Sequence, residues 1–324
     1  MSAELPAALR AGLARELEGV SRKGLAERAQ RTSQAYRAGR SSAGVIRGTE
    51  DALAYALARL PATYAACAAV FAEAAERAPD FRPARLLDAG AGTAAASWAA
   101  LEAWPELAGV TWLDANPSFL EMAGRLAAGG PEALAAPARL RADLTASGAD
   151  WPRADLVACS YALAEIAPER QAAAVEGLWG ACEGLLALVE PGTPAGFERL
   201  RVAREALIAA GACILAPCPH AAACPIQAPD WCHFRVRLPR SRDHRLAKGA
   251  DAPFEDEPFA YLLAARPGIG APPAARVLAP PRAGKPGIDL KLCTPQGLEA
   301  RFVAKRDKAA YAVARRLDWG DAAE

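Results

Sequence analysis

Residues able to do chemistry gather in three places. The densest is a run of soft ligands. Cys218, Cys224 and Cys232 fall within fifteen residues, and all three histidines of the chain lie between 220 and 244. Such crowding in a reducing compartment signals a metal. The spacing C-x5-C-x7-C matches neither the paired C-x2-C of zinc fingers nor the C-x3-C-x2-C of radical enzymes. Three thiolates call for a fourth ligand; Cys293 on a later strand, His220 and His233 are the candidates. Four thiolates suit zinc or an iron–sulfur cluster, and packed free thiols are the third reading. Pro217, Pro219 and Pro225 stiffen this loop. Cys67, Cys182 and Cys213 sit in apolar contexts and are expected in the core, as is Cys159, whose apolar strand disfavours a nucleophilic role.

The second place is the loop Leu86-Leu87-Asp88-Ala89-Gly90-Ala91-Gly92-Thr93-Ala94, between an apolar run and a helical one. Gly90 and Gly92 allow a tight turn and close approach of a ligand, and the following helix offers N–H groups. D-x-G-x-G-x-A fits S-adenosylmethionine better than a dinucleotide, which favours G-x-G-x-x-G; no P-loop is present. Asp88 is expected to face an amine. Asp114, 26 residues on, is placed to take the ribose hydroxyls, and Asp143, after the third strand, the adenine amino group. Ser160 and Tyr161, after the fourth strand, would face the reactive end of the cofactor. They replace the Asn/Asp-Pro-Pro-Tyr/Phe run of amino-nitrogen methylases.

The third place is basic. In His233-Phe234-Arg235-Val236-Arg237-Leu238, Phe234, Val236 and Leu238 share one strand face while Arg235 and Arg237 share the other. Arg240, Arg242, Arg245 and Lys248 follow. This strip is expected to grip RNA phosphates; the competing expectation is that Glu255-Asp256-Glu257 folds back onto it.

The elements that hold these residues read as follows. Leu5, Leu9, Leu13 and Leu17 make a helical stripe, and helices are expected over 49–60, ending at Pro61, and 63–77. Strands at 85–88, 110–114, 138–142, 154–160, 185–190 and 212–216 alternate with helices at 94–104, 117–128, 169–182 and 194–210, which predicts βαβ units and a doubly wound sheet. Beyond 217, short strands at 233–238, 259–265, 276–279, 288–293 and 298–304, parted by Pro-Gly turns, predict a smaller β-rich unit, closed by a helix over 307–317. Three regions are expected: helical 1–80, a cofactor-binding Rossmann-like domain 81–216, and a cysteine-rich, β-rich unit 217–324.

The net charge of +1 hides a pattern: +4 over residues 1–59, −9 over 60–232 and +6 over 233–324. Basic ends suggest a polyanionic partner, nucleic acid first. No run of eighteen apolar residues is free of charge and the N-terminus has no signal-peptide pattern, so a cytoplasmic location with no membrane partner is expected.

On these residues the chain resembles the ribosomal small-subunit methyltransferase-like proteins, the mitochondrial small-ribosomal-subunit assembly factors and their bacterial relatives. The resemblance runs through most of the chain. It is carried by Leu60-Pro61-Ala62-Thr63-Tyr64, the glycine loop, Ser160-Tyr161-Ala162-Leu163-Ala164-Glu165, Glu190-Pro191-Gly192-Thr193-Pro194-Ala195-Gly196-Phe197, Ala216-Pro217-Cys218-Pro219-His220, Trp231-Cys232-His233-Phe234 and Trp319-Gly320-Asp321. It implies a class I methyltransferase-like fold, S-adenosylmethionine, a [4Fe–4S] cluster on Cys218, Cys224, Cys232 and Cys293, and work on the small ribosomal subunit and its RNA. Ala94 stands where many methyltransferases have a third glycine, and no catalytic base carries over. Two rivals remain: a non-catalytic RNA-binding scaffold for assembly, and a zinc-stabilised methyltransferase of small molecules.

Overall fold

The computed structural model of the chain describes residues 3–37, 42–146 and 151–323. Three helices come first: α1 (Ala7–Glu16), α2 (Arg22–Arg37) and α3 (Thr49–Arg77). The leucine stripe of α1 is buried at Leu9 and Leu13, and Leu17 closes it. The helix expected to stop at Pro61 does not stop: α3 runs through Pro61. A proline inside a helix costs about 3 kcal/mol. Eighteen α3 residues are buried, among them Leu53, Leu57, Leu60, Val70 and Phe71. At about 1.5–3 kcal/mol for each large apolar side chain, burial outweighs the break. By length and composition α3 could cross a membrane, but 78% of its most apolar window is buried inside this fold.

The alternating region follows as β1 (Arg85–Ala89), α4 (Ala95–Ala103), β2 (Gly109–Leu113), α5 (Pro117–Ala127), α6 (Glu132–Ala135), β3 (Ala138–Leu140), β4 (Ala154–Ser160), α7 (Pro168–Ala181), β5 (Cys182–Pro191), α8 (Pro194–Ala209) and β6 (Cys213–Ala216). Side-chain caps start two of these helices: Asn116 accepts from Ser118 N–H at 3.0 Å, and Thr193 from Gly196 N–H at 3.1 Å, each followed by a proline at the first helical position. The rest is β7 (Phe234–Pro239), α9 (Arg242–Lys248), β8 (Phe254–Ala265), β9 (Ala275–Val277), β10 (Arg282–Ala283), β11 (Gly287–Thr294), β12 (Gly297–Ala304), α10 (Lys308–Ala314) and β13 (Ala322–Ala323).

Among the described residues the main sheet has the order β3-β2-β1-β4-β5-β8-β6, with β7 paired to β8. Strands β1 to β5 are parallel, and β8 is antiparallel to both β5 and β6. This is the class I methyltransferase-like doubly wound sheet. Its faces separate two cores. Leu86, Trp112, Leu156 and Leu185 pack toward α3, α4 and α5, while Leu87, Leu113, Val157 and Leu186 pack toward α7 and α8. The strand order reverses between β1 and β4, and such a switch point opens a crevice at the strands' C-terminal ends.

The sheet does not end at residue 216. Strands β7 and β8, expected in the C-terminal unit, complete it. The last seven residues of β8 are all buried, as a strand covered on both faces must be. The cysteine loop separates β6 from β8 in sequence and hides their pairing. A second, smaller sheet is ordered β10-β11-β9-β13 with β12 on β11, over a core of Val277, Ile288, Leu290 and Leu292.

Candidate functional site

The β1–α4 loop is fixed by the end of β2: Leu113 O accepts Gly90 N–H at 2.8 Å and Ala91 N–H at 3.0 Å. Gly90 (φ +72°) and Gly92 (φ +53°) both take the left-handed conformation. A Cβ on Gly90 would lie 2.5 Å from Ala162 Cβ, whereas one on Gly92 meets nothing within 4 Å. Ala94 (φ +64°) holds the same conformation with a side chain, at a cost of about 1–2 kcal/mol.

A cavity of about 170 Å³ brings together Gly90, Gly92, Asp114, Asp143, Ser160 and Tyr161 from four strand ends. Asp114 orders its mouth, accepting Gly92 N–H on Oδ2 and Asn116 N–H on Oδ1, both at 2.8 Å. Burial pushes its carboxyl up against these bonds. Each oxygen keeps a lone pair for a ligand hydroxyl. Asp143 accepts Thr145 N–H at 2.8 Å and Thr145 Oγ1–H at 2.7 Å, which holds it below the ordinary carboxylate range.

Asp88 is the exception, and its expected role needs correcting. It is fully buried, outside the cavity wall, and binds the first turn of α4. Its Oδ2 accepts Ser97 N–H at 3.1 Å and Ser97 Oγ–H at 2.6 Å, and Trp112 Nε1–H donates to that hydroxyl at 3.0 Å. Oδ1 has no partner. Burial raises the carboxyl to about 7.

The sequence reading missed the far wall. Tyr161 sits at φ +59°, its N–H bonded to Val189 O at 2.7 Å and its hydroxyl donating to Glu257 Oε1 at 3.0 Å. Arg59 Nη2 reaches the same oxygen at 3.1 Å, and its guanidinium carbon lies 5.6 Å from the Tyr161 ring centroid. Glu165, also in the wall, accepts Ser42 N–H at 2.7 Å. At Tyr55, Tyr161 and Glu165 the cleft adjoins a cavity of about 540 Å³ lined from α2, α3 and α9. Tyr55 and Arg59 are one helical turn apart on α3, a spacing that marks a shared face but no chemistry.

The four cysteines converge. Cys218, Cys224, Cys232 and Cys293 line one cavity of about 40 Å³ with His220, Arg204 and Arg276. Cys293 Sγ is 3.6 Å from His220 Nε2. Two buried arginines hold the loop from behind. Arg204 donates to His220 O at 2.6 Å and Ala222 O at 2.9 Å; Arg276 donates to Pro217 O at 3.1 Å, Gly320 O at 2.7 Å and Glu73. Burial pushes the Cys218 and Cys232 thiols up, and Cys293 to about 12. Arg204 Nε and His220 Nδ1 are without partners. Among the described residues, no three His, Cys, Asp or Glu groups are gathered tightly enough for a single ion. His233 is engaged elsewhere, stacked on Trp231 at 4.8 Å with its edge on Trp319. Cys213, expected in the core, is exposed, whereas Cys67, Cys159 and Cys182 are buried. Burial raises the Cys159 thiol, which leaves no thiolate nucleophile there.

The basic strip is largely spent inside the protein. Pairing of β7 with β8 sets Arg237 opposite Asp256, and the two bond at 2.7 Å and 2.8 Å. Glu255 takes Arg240 at 3.1 Å and Lys248. Arg245 bonds Asp251 O at 3.4 Å, and Arg235 lies over the Trp319 ring at 5.5 Å. Arg242 and Arg245, both on α9, show no ion pair or ring contact among the described residues. Three of the six cations expected to grip RNA, Arg237, Arg240 and Lys248, are thus taken up by internal ion pairs with the acidic run, the competing expectation.

Among solved structures the chain is similar to magnesium protoporphyrin IX methyltransferase of Synechocystis PCC 6803 with bound SAM. That match has 16% identity and a TM-score of 0.42, covering 63% of this chain and 80% of that one. A putative RNA methyltransferase of Pyrococcus horikoshii matches at 13% identity and a TM-score of 0.41, covering 64% and 84%. The human ribosome assembly protein METTL17, mitochondrial, is 29% identical over 292 residues, covering 83% of this chain and 61% of that protein's length. Residues 49–324 match the family described as mitochondrial small ribosomal subunit Rsm22, and the chain belongs to that family.

Proposed function

We propose that the protein is an S-adenosylmethionine-binding assembly factor for the small ribosomal subunit, working in the cytoplasm and carrying a [4Fe–4S] cluster. The observation that carries the reading is the convergence of six residues from four strand ends on one cleft at the switch point. Gly90 and Gly92 leave room for the nucleoside, Asp114 offers lone pairs to the ribose, and Asp143 stands by the base. Asp114, Asp143 and Glu165 surround the cleft with carboxylates, which favours a sulfonium cation. Ribosomal work is supported by the family and by the human relative's being a ribosome assembly protein.

The donor set fits the cluster: four cysteines on one cavity and two arginines to offset thiolate charge. When bound, it would staple the 217–233 loop to β11. The eight free cysteines fit a reducing compartment. Calorimetry tests the cofactor: wild-type protein binds S-adenosylmethionine and Gly90→Arg does not, and unchanged binding in the variant removes the site. Anaerobically purified protein should contain about four irons and four sulfides; one zinc per chain removes the cluster.

A scaffold without methyl transfer is the second reading. It is favoured by the buried Cys159 and by the Tyr161 hydroxyl already bonded to Glu257. Labelled S-adenosylmethionine with immature subunits separates the two. Label in ribosomal RNA supports transfer, and subunit binding without label supports the scaffold.

A further inference from the structure

The small sheet has a face that the cysteine pocket uses at one end only and the cleft not at all. Arg282, Asp289 and Phe302 are direct partners across β10, β11 and β12, so they point the same way. Leu298 and Ala300 continue that face along β12, while Ile288, Leu290 and Leu292 fill the core behind it. At one end Cys293, opposite Leu298, turns into the cysteine pocket, and Lys291 is paired with Asp230 of the cysteine loop. At the other end Lys305 N–H donates to Pro286 O at 2.8 Å, which brings Lys285, Lys305 and Arg306 together.

Phe302 is 52% exposed and Leu298 46%. Arg282, Lys285, Lys305, Arg306 and Lys308 are exposed. The ion pairs formed within residues 282–308 are Lys291–Asp230 and Arg301–Glu299, so among the described residues these five cations have no acidic partner. Half of the cations in the strip along β7 and α9 are paired with acids of the chain; at this end of the molecule none of the five is.

We propose that this face binds single-stranded RNA. Phe302 is the platform on which a base stacks, and Lys285, Lys305 and Arg306 hold the phosphates beside it. A ring left half in water next to unpaired cations matches a ligand that is flat and apolar on its bases and anionic on its backbone. The assignment rests on the ribosomal reading and adds the surface that does the holding.

Fluorescence anisotropy with a labelled single-stranded 12-nucleotide RNA tests it. Phe302→Ala should weaken binding by about 5- to 150-fold, with Phe302→Trp binding as wild type does. The pair Lys305→Glu and Arg306→Glu should flatten the slope of log affinity against log salt by about 1.4, at about 0.7 per phosphate contact. Arg237→Gln should change neither. Unaltered affinity in Phe302→Ala, or an unaltered slope in the double variant, overturns the proposal. So does loss of subunit co-sedimentation in Phe302→Ala with RNA affinity intact, because the face would then dock protein. Wild-type protein that binds neither RNA nor subunits fails the ribosomal reading itself.

Discussion

Replacing Asp88 by asparagine should change how stability depends on pH. Asp88 is fully buried, its Oδ1 has no partner, and its carboxyl titrates at about 7 instead of the ordinary 3.8. Burial raises it, while the two Ser97 donors hold it down. The unfolded chain releases this proton near pH 4 and the folded chain keeps it to about 7, so the unfolded state binds fewer protons between these values. Stability therefore falls as pH rises through that window, and the penalty is complete above pH 7. At 1.36 kcal/mol per unit, moving from 3.8 to about 7 corresponds to about 4 kcal/mol.

In the Asp88→Asn variant the amide oxygen would accept both Ser97 donors, and the side chain would not titrate. Any packing or amide cost is the same at every pH. Urea unfolding followed by tryptophan fluorescence at pH 4.5 to 8.5 reads the difference between variant and wild type, with Trp112 one hydrogen bond from the site. Glu190, raised to about 7, and His244, lowered to about 4, both by burial, titrate in the same range. Both proteins share them, so they cancel. The difference should move in favour of the variant by about 2–4 kcal/mol across the window. A difference flat to within about 0.5 kcal/mol would refute the reasoning, because Asp88 would then be ionised at little cost or matched by a cation.

Gly90→Ala should destabilise the chain by about 3 kcal/mol or more, from left-handed strain plus the clash with Ala162, while Gly92→Ala costs about 1 kcal/mol from strain alone. Thermal melts of the two variants should keep that order. Arg276→Met leaves the Pro217 and Gly320 carbonyls unpaired and Glu73 with Arg77 alone, at about 3–5 kcal/mol. It should also lower the metal recovered with the protein, and full metal content in a destabilised variant would separate the arginine from the cysteine pocket. Cys293→Ser should reduce iron content, while Cys213→Ser, at an exposed thiol away from the pocket, should not.

Much of the sheet was legible in the sequence, because an apolar run with its turn residues is a local signal. Residues 154–160 are the expected strand to the residue, and the β1–α4 loop lies where its glycines put it. The switch-point cleft followed from strand–helix alternation, since acids at successive strand ends must face one crevice. Cys218, Cys224 and Cys232 were legible from density of residue type, which depends little on fold, whereas Cys293 stood beside His220 and His233 as a candidate until the family resemblance chose it. Three features were not. Pro61 marks a helix end by local propensity, but burial of α3 overrides it. Asp88 occupies a motif position, yet whether it faces a ligand or Ser97 depends on how α4 packs against β1. Arg237, Arg240 and Lys248 read either as a binding strip or as partners of the acidic run 255–257, and only the pairing of β8 with β7, which brings Glu255 and Asp256 onto them, decides for the second. The sequence by itself determined most of the elements, the glycine loop and the dense cysteine loop, because these rest on neighbours along the chain. The tertiary structure alone decided which charges are spent internally and which remain for a partner, because ion pairing depends on strand register between segments that composition does not align.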